Sequence, residues 1–160
     1  MIDENNLKII SDLLKKNHIT IATAESCTGG LIAHTLTNIS GSSEYFDRGF
    51  ITYSNNAKIE SLDVSKKLLE KHGAVSKEVA EAMANGVRTK SNVDIGISTT
   101  GIAGPTGGTI EKPVGLVYIA ISRTEKTIVK KFQFSGDRLQ NKENTCKEAL
   151  QMLYDLIIKL

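Results

Sequence analysis

Residues 18–26 read HITIATAES, a short run rich in β-branched side chains and free of formal charge until Glu25. A strand so apolar on both faces is stable only with other elements packed on each side, as in a sheet held between two layers of helices. The flanking pattern supplies those layers. Residues 4–16 space Leu7, Ile10, Leu13 and Leu14 for a helix, with Asp3 as its N-cap. A turn at 28–30 leads into LIAHTLTNI (31–39), which suits a helix ending near the SGSS at 40–43. FDRGFITYS (46–54) reads as a second strand, and 55–76 as a loop with a short helix. Ser76, with Glu78 and Glu81, opens a helix over 77–91 whose apolar face carries Val79, Ala82, Met83 and Val87. Further strands are predicted at 93–101, 114–122 and 126–135, the last two joined by RTEK, short enough for an antiparallel hairpin. The final helix is expected from Asp137 to Lys159, burying Leu139, Leu150, Leu153, Leu156 and Ile157. The prediction is an α/β chain: a three-layer α/β/α sandwich with a mixed five-stranded sheet, one domain spanning 1–160.

Composition narrows the function classes. Cys27 and Cys146 stand far apart and in no metal-ligand spacing, so neither a zinc site nor a disulfide framework is expected, and no other metal or cofactor is implied. Twenty basic against eighteen acidic residues, with no Trp to stack on bases, argue against a nucleic-acid partner. Lys66, Lys67 and Lys71 form the densest basic stretch, but Glu70 interrupts it as on a solvated helix face. The amino-terminal stretch is acidic and amphipathic, unlike a signal peptide, and no apolar run is long enough to span a membrane. A soluble cytoplasmic protein is expected.

In open α/β sheets ligands gather beyond the carboxyl ends of the strands. Ser26, Tyr53 and the loop GIAGPTGG (101–108) all follow predicted strand ends. Ser26 sits at a strand-to-helix junction where the backbone of Thr28, Gly29 and Gly30 can approach an anion or oxyanion; a plain helix cap is the competing reading. Cys27 is a rival nucleophile or a small buried filler. His18, His34 and His72 have no evident partner, and the stretch is not G-x-S-x-G, so a Ser-His-Asp triad is not supported. A desolvated lysine is the alternative base, and Lys58, five residues after Tyr53, is the best placed, against the competing reading of a solvated surface charge. Four glycines between 101 and 108 suit a loop whose backbone donors wrap a phosphate or carboxylate, although neither common nucleotide-loop pattern is matched. Arg138, in the first turn of the last helix, works against the helix dipole, which points to an anionic partner or to a salt bridge with Glu25 or Asp47.

Taken together, AESCTGG (24–30), GFITYSNNAK (49–58), TTGIAGPTGG (99–108) and FSGDR (134–138) resemble, in order and spacing, the CinA carboxy-terminal domain family, and the likeness runs over nearly the whole chain. The resemblance implies a stand-alone form of a nicotinamide-mononucleotide amidohydrolase, converting that carboxamide to nicotinate mononucleotide and ammonia. It implies Ser26 as nucleophile, Lys58 as general base and Tyr53 as a proton-transfer or orienting residue. Thr28, Gly29 and Gly30 would supply oxyanion N–H groups, while Thr100, Gly101, Gly104, Gly107, Gly108 and Arg138 would contact the nucleotide. Family members commonly carry a second arginine four positions after Arg138, where this chain has Lys142. Lysine keeps the charge but loses the planar fork, which puts substrate preference in question before activity. A homodimer is expected. The alternatives are hydrolysis of another small amide and a non-catalytic interaction module related to competence or DNA damage.

Overall fold

The computed structural model describes residues 4–160; the expected Asp3 cap lies outside them. The order of elements is α1 (Glu4–Lys16), β1 (Ile21–Glu25), α2 (Leu31–Leu36), a 3-10 turn (Ser42–Glu44), β2 (Phe46–Ile51), α3 (Asn55–Leu62), α4 (Lys66–His72), α5 (Lys77–Ser91), β3 (Ile95–Gly101), β4 (Leu116–Ser122), β5 (Thr127–Gln133) and α6 (Arg138–Ile157). The five strands form one mixed sheet in the order β2-β1-β3-β4-β5. β1 runs parallel to β2 and β3, and β4 runs antiparallel to β3 and β5, as the RTEK hairpin predicts.

Side-chain alternation divides the sheet between two helical layers. Ile21, Ile97, Val117 and Ile119 join Leu7, Ile10 and Leu14 of α1, Ile32 and Leu36 of α2, and Leu150 and Leu153 of α6 in one core. Ala22 and Ala24 face Val79, Met83 and Val87 of α5 on the other side, with Leu62 and Leu69 from α3 and α4. Small strand residues let α5 come close: a Cβ on Gly96 would stand 2.2 Å from the Ala84 carbonyl oxygen. The α/β/α sandwich expected from the sequence is therefore the fold.

Several expectations change: the helix expected over 31–39 ends at Leu36 and the strand expected over 46–54 ends at Ile51. Residues 55–72 hold two helices, because Ser54 and Ser65 each cap one by accepting a backbone N–H, from Ala57 and Leu68 respectively. The last helix ends at Ile157, two residues early. Leu139, expected in the core, is 68% exposed in the first turn of α6, ahead of the helix's first buried residue, Asn141.

With β1, β2 and β3 parallel, Glu25, Ile51 and Gly101 end on the same edge of the sheet. The chain leaves β1 to one side for β2 and returns to the other for β3, so the strand order reverses there. A crevice opens at such a switch point.

Candidate active site

That crevice is a cleft of about 200 Å³ lined by, among others, Ser26, Tyr53, Lys58, Thr100, Gly101 and Arg138. Ser26 is the first residue past β1 and is fixed by its N–H, which donates to the Thr99 carbonyl at 3.0 Å. Lys58 lies one turn into α3, whose cap on Ser54 starts the helix just past the end of β2. Its side chain is thereby carried back under the cleft, and the residue is only 1% exposed. Nζ stands 3.1 Å from Ser26 Oγ, 2.8 Å from the Thr52 carbonyl oxygen and 3.4 Å from that of Tyr53. Burial disfavours the ammonium and pushes its pKa from 10.5 down to about 8. In the neutral amine, two N–H groups serve the two carbonyls and the lone pair is left for the Ser26 hydroxyl. The chemistry open to this pair is removal of the serine proton by an amine. Burial pushes the adjacent Cys27 thiol in the opposite sense, up to about 12, so it stays a protonated filler of the core. Among the described residues no histidine lines the cleft.

The turn after Ser26 is wired differently from the sequence expectation. Gly29 (φ +59) and Gly30 (φ +98) occupy the left-handed region that only glycine enters without cost. Their N–H groups are already used: Gly29 donates to the Ser26 carbonyl at 3.1 Å and Gly30 to Glu25 Oε2 at 3.0 Å. They are therefore not the free oxyanion donors that the sequence reading made them. Glu25, 1% exposed, also accepts from the N–H groups of Ile32 (3.1 Å) and Ala33 (2.8 Å) and from the Thr28 hydroxyl (2.6 Å). Thr28 thus spends its proton on Glu25, and Thr99 donates to Thr28 across 2.8 Å. Sequence reasoning missed Glu25 as an organiser. The available signal was a carboxylate at the end of an otherwise uncharged strand, just ahead of a helix with no capping side chain of its own.

The mouth of the cleft is built from long, exposed side chains. Arg138 donates through Nη1 to the Gly104 carbonyl (2.7 Å) and through Nη2 to the Tyr53 hydroxyl (2.9 Å). It pairs with neither Glu25 nor Asp47; the latter holds Arg48. Asn141, also missed, is buried and ties α6 to the glycine-rich loop, donating to the Ala103 carbonyl and accepting from the Gly136 N–H. Thr100 lines the cleft but commits its hydroxyl to the Ala74 carbonyl at 2.7 Å, holding the opposite wall. Gly101 lines it through the last residue of β3, whereas Gly107 and Gly108 sit out on the exposed loop, away from the cleft lining. Lys142 borders an adjoining hollow of about 340 Å³ with Thr28, Gly29, Gly30 and His34.

A larger groove of about 930 Å³ separates α1, α2 and the start of α6. Its thiol, Cys146, is buried, with a pKa raised by that burial to about 11, and it contacts the Thr35 hydroxyl at 3.5 Å and the Leu31 carbonyl oxygen at 3.8 Å. Among the described residues no three His, Cys, Asp or Glu side chains cluster to hold a metal ion, and no helix is long and apolar enough to cross a membrane. Lys66 of the basic stretch pairs with Glu70 at 3.9 Å on the surface of α4.

Known proteins resemble this chain over nearly its whole length. The chain is 53% identical over 152 residues to a CinA-like protein of Chloroherpeton thalassium, covering 92% of this chain and 36% of that protein. It is 48% identical over 158 residues to a CinA-like protein of Kosmotoga olearia, covering 99% of this chain and 38% of that one. The chain thus spans less than two fifths of the length of these curated relatives. The crystal structure of the competence/damage inducible protein CihA from Agrobacterium tumefaciens superposes with a TM-score of 0.94 at 39% identity, covering 98% of both chains. The family model of the CinA C-terminal domain matches residues 3–157, and the chain belongs to that family.

Proposed function

We propose that this protein is a serine amidohydrolase that converts the carboxamide of nicotinamide mononucleotide to the carboxylate, releasing ammonia. The observation that carries the reading is the Lys58 Nζ to Ser26 Oγ contact of 3.1 Å, made by a buried amine whose pKa lies close to neutrality. The resemblance in the four motifs supplies the substrate.

Neutral Lys58 takes the Ser26 proton as Oγ attacks the carboxamide carbon. The resulting ammonium hands that proton to the leaving nitrogen, the C–N bond breaks, and ammonia departs from a serine ester. Water then attacks the ester, Lys58 takes its proton, and the acid leaves with Ser26 restored. The small cleft admits a planar ring amide, and Arg138 at the mouth meets the negative charge of the nucleotide. Tyr53 orients that arginine, because its hydroxyl is engaged by Arg138 and is directed to the exposed rim.

The test is ammonia release from nicotinamide mononucleotide by the unaltered chain, Ser26→Ala and Lys58→Met, each checked for an intact melting transition. Turnover by the unaltered chain alone is the expected result. Undiminished release by Ser26→Ala would dismiss the nucleophile, and silence from the unaltered chain would dismiss the substrate.

A further inference from the structure

We infer that Glu25 is a positioning residue that sets the oxyanion donors of this site, and that those donors are the N–H groups of Cys27 and Thr28. The inference rests on the serine reading above and adds to it residues whose side chains do no chemistry.

Every other donor of the turn is accounted for. Ser26 N–H goes to Thr99, Gly29 N–H to Ser26, Gly30, Ile32 and Ala33 N–H to Glu25, and Leu31 N–H to Thr28. The N–H groups of Cys27 and Thr28 take no partner from another residue among those described. They belong to the first and second residues after the nucleophile, and the N–H directly after a nucleophile on a strand-to-helix turn is where acyl-transfer enzymes commonly place an oxyanion donor. Cys27 itself lines the Ser26 cleft. Its thiol packs into the core, which anchors the residue from behind.

Glu25 is what keeps the turn in this shape. The carboxylate accepts four donors within 3.1 Å, three from the backbone entering α2 and one from Thr28, and Thr99 locks Thr28 to β3. Satisfying the start of α2 from β1, rather than from a residue of the turn, leaves the Thr28 N–H unclaimed and the Cys27 N–H facing only its own thiol. A ring of buried donors also forbids an amide here. Gln would turn an NH₂ toward at least one N–H, and the turn would have to move.

The experiment measures kcat and KM for nicotinamide mononucleotide in Glu25→Gln, Thr28→Val and Thr28→Ser, with amide hydrogen exchange at Gly30, Ile32 and Ala33. Loss of one oxyanion donor lowers kcat by about 10²–10³-fold, so Glu25→Gln and Thr28→Val are expected to lose about 10²-fold in kcat. KM should stay within about threefold, the inflection set by Lys58 should not move, and Thr28→Ser should recover the rate. Exchange should quicken at the three amides in Glu25→Gln. A rise in KM with kcat intact, or kcat preserved in both Glu25→Gln and Thr28→Val, would overturn the inference. Should Glu25→Gln fail to fold, the Thr28→Val and Thr28→Ser pair decides alone. If the unaltered chain does not turn over the nucleotide, the proposed substrate falls, and the same comparison is read from the rate at which a fluorophosphonate labels Ser26. Equal labelling of all variants, or none of the unaltered chain, then overturns the positioning role.

Discussion

The two sides of the cleft are made in opposite ways. The floor, from Glu25 to Thr28 with Thr99 and Lys58, is buried, and its carboxylate, hydroxyls and amine bond to one another or to backbone. The rim, made of Tyr53 and Arg138, is exposed and touches the body through a few long side chains. On the proposed mechanism the nucleophile and base tolerate little displacement; Ser26 stands just past β1 and Lys58 in α3, with the Glu25 carboxylate fixing the turn from β1 into α2. Recognition of a charged, solvated group tolerates more and can be carried by an arginine steadied at two points. Damage to the floor should therefore appear in kcat, and damage to the rim in KM.

The largest effect is expected from removing the proposed base. Lys58→Met keeps the stem but leaves Ser26 without a proton acceptor, and kcat should fall by about 10²–10⁴-fold, the usual weight of general-base catalysis. Retention of more than a tenth of the rate in steady-state ammonia release would mean that another group takes the proton. The Glu25 and Thr28 substitutions come next, at about 10²-fold.

The same lysine sets the pH dependence. On the proposed mechanism the neutral amine is the active form, so kcat/KM should rise with pH and reach half its plateau near pH 8. Stability should follow in the same direction. The native lysine titrates near 8 and the unfolded one near 10.4, so between those values the unfolded chain binds more protons and stability increases with pH. The gain is on the order of 3 kcal/mol across the full window. Cys27 and Cys146 work against it above about pH 9, because their native thiols stay protonated after the unfolded ones have ionised. Urea denaturation of the unaltered chain and of Lys58→Met at pH 7 and 9.5 cancels the thiols, and a stability difference that does not change with pH would contradict the shifted lysine.

Legibility in the sequence follows the same division between floor and rim. Strands and helices were readable because burial imposes period: Ile21 and Ala22 must face opposite layers, and Val79, Met83 and Val87 must share one. Ser26 and Lys58 stood out as candidates by their places after strand ends, but 32 residues separate them, and only the three-dimensional path of β2 and α3 gives their 3.1 Å contact. The role of Glu25 was hidden for a physical reason. A capping carboxylate is normally sought at the residue before a helix, whereas this one reaches from five to eight positions upstream. Gly29 and Gly30 misled for the complementary reason, since glycine signals the left-handed turn but not whether its N–H is free. Leu139 shows that helical periodicity cannot tell a buried turn from an exposed one at the start of a helix.

The smallest effect separates two roles for Tyr53. If its hydroxyl only steadies Arg138, Tyr53→Phe removes one exposed hydrogen bond to a charged group, worth about 1 kcal/mol, or roughly fivefold. Arg138 keeps its bond to the Gly104 carbonyl, so the guanidinium stays near the mouth with a looser aim. KM for nicotinamide mononucleotide should rise about fivefold with kcat unchanged, and the same amide lacking its phosphate should be indifferent to the substitution. If instead the hydroxyl relays a proton, kcat must fall for both substrates alike, by about 10²-fold or more. Measuring the two substrates side by side distinguishes these outcomes without reference to the absolute rate. An equal loss of kcat on both would move Tyr53 from the rim to the floor and make the exposed hydroxyl part of the chemistry.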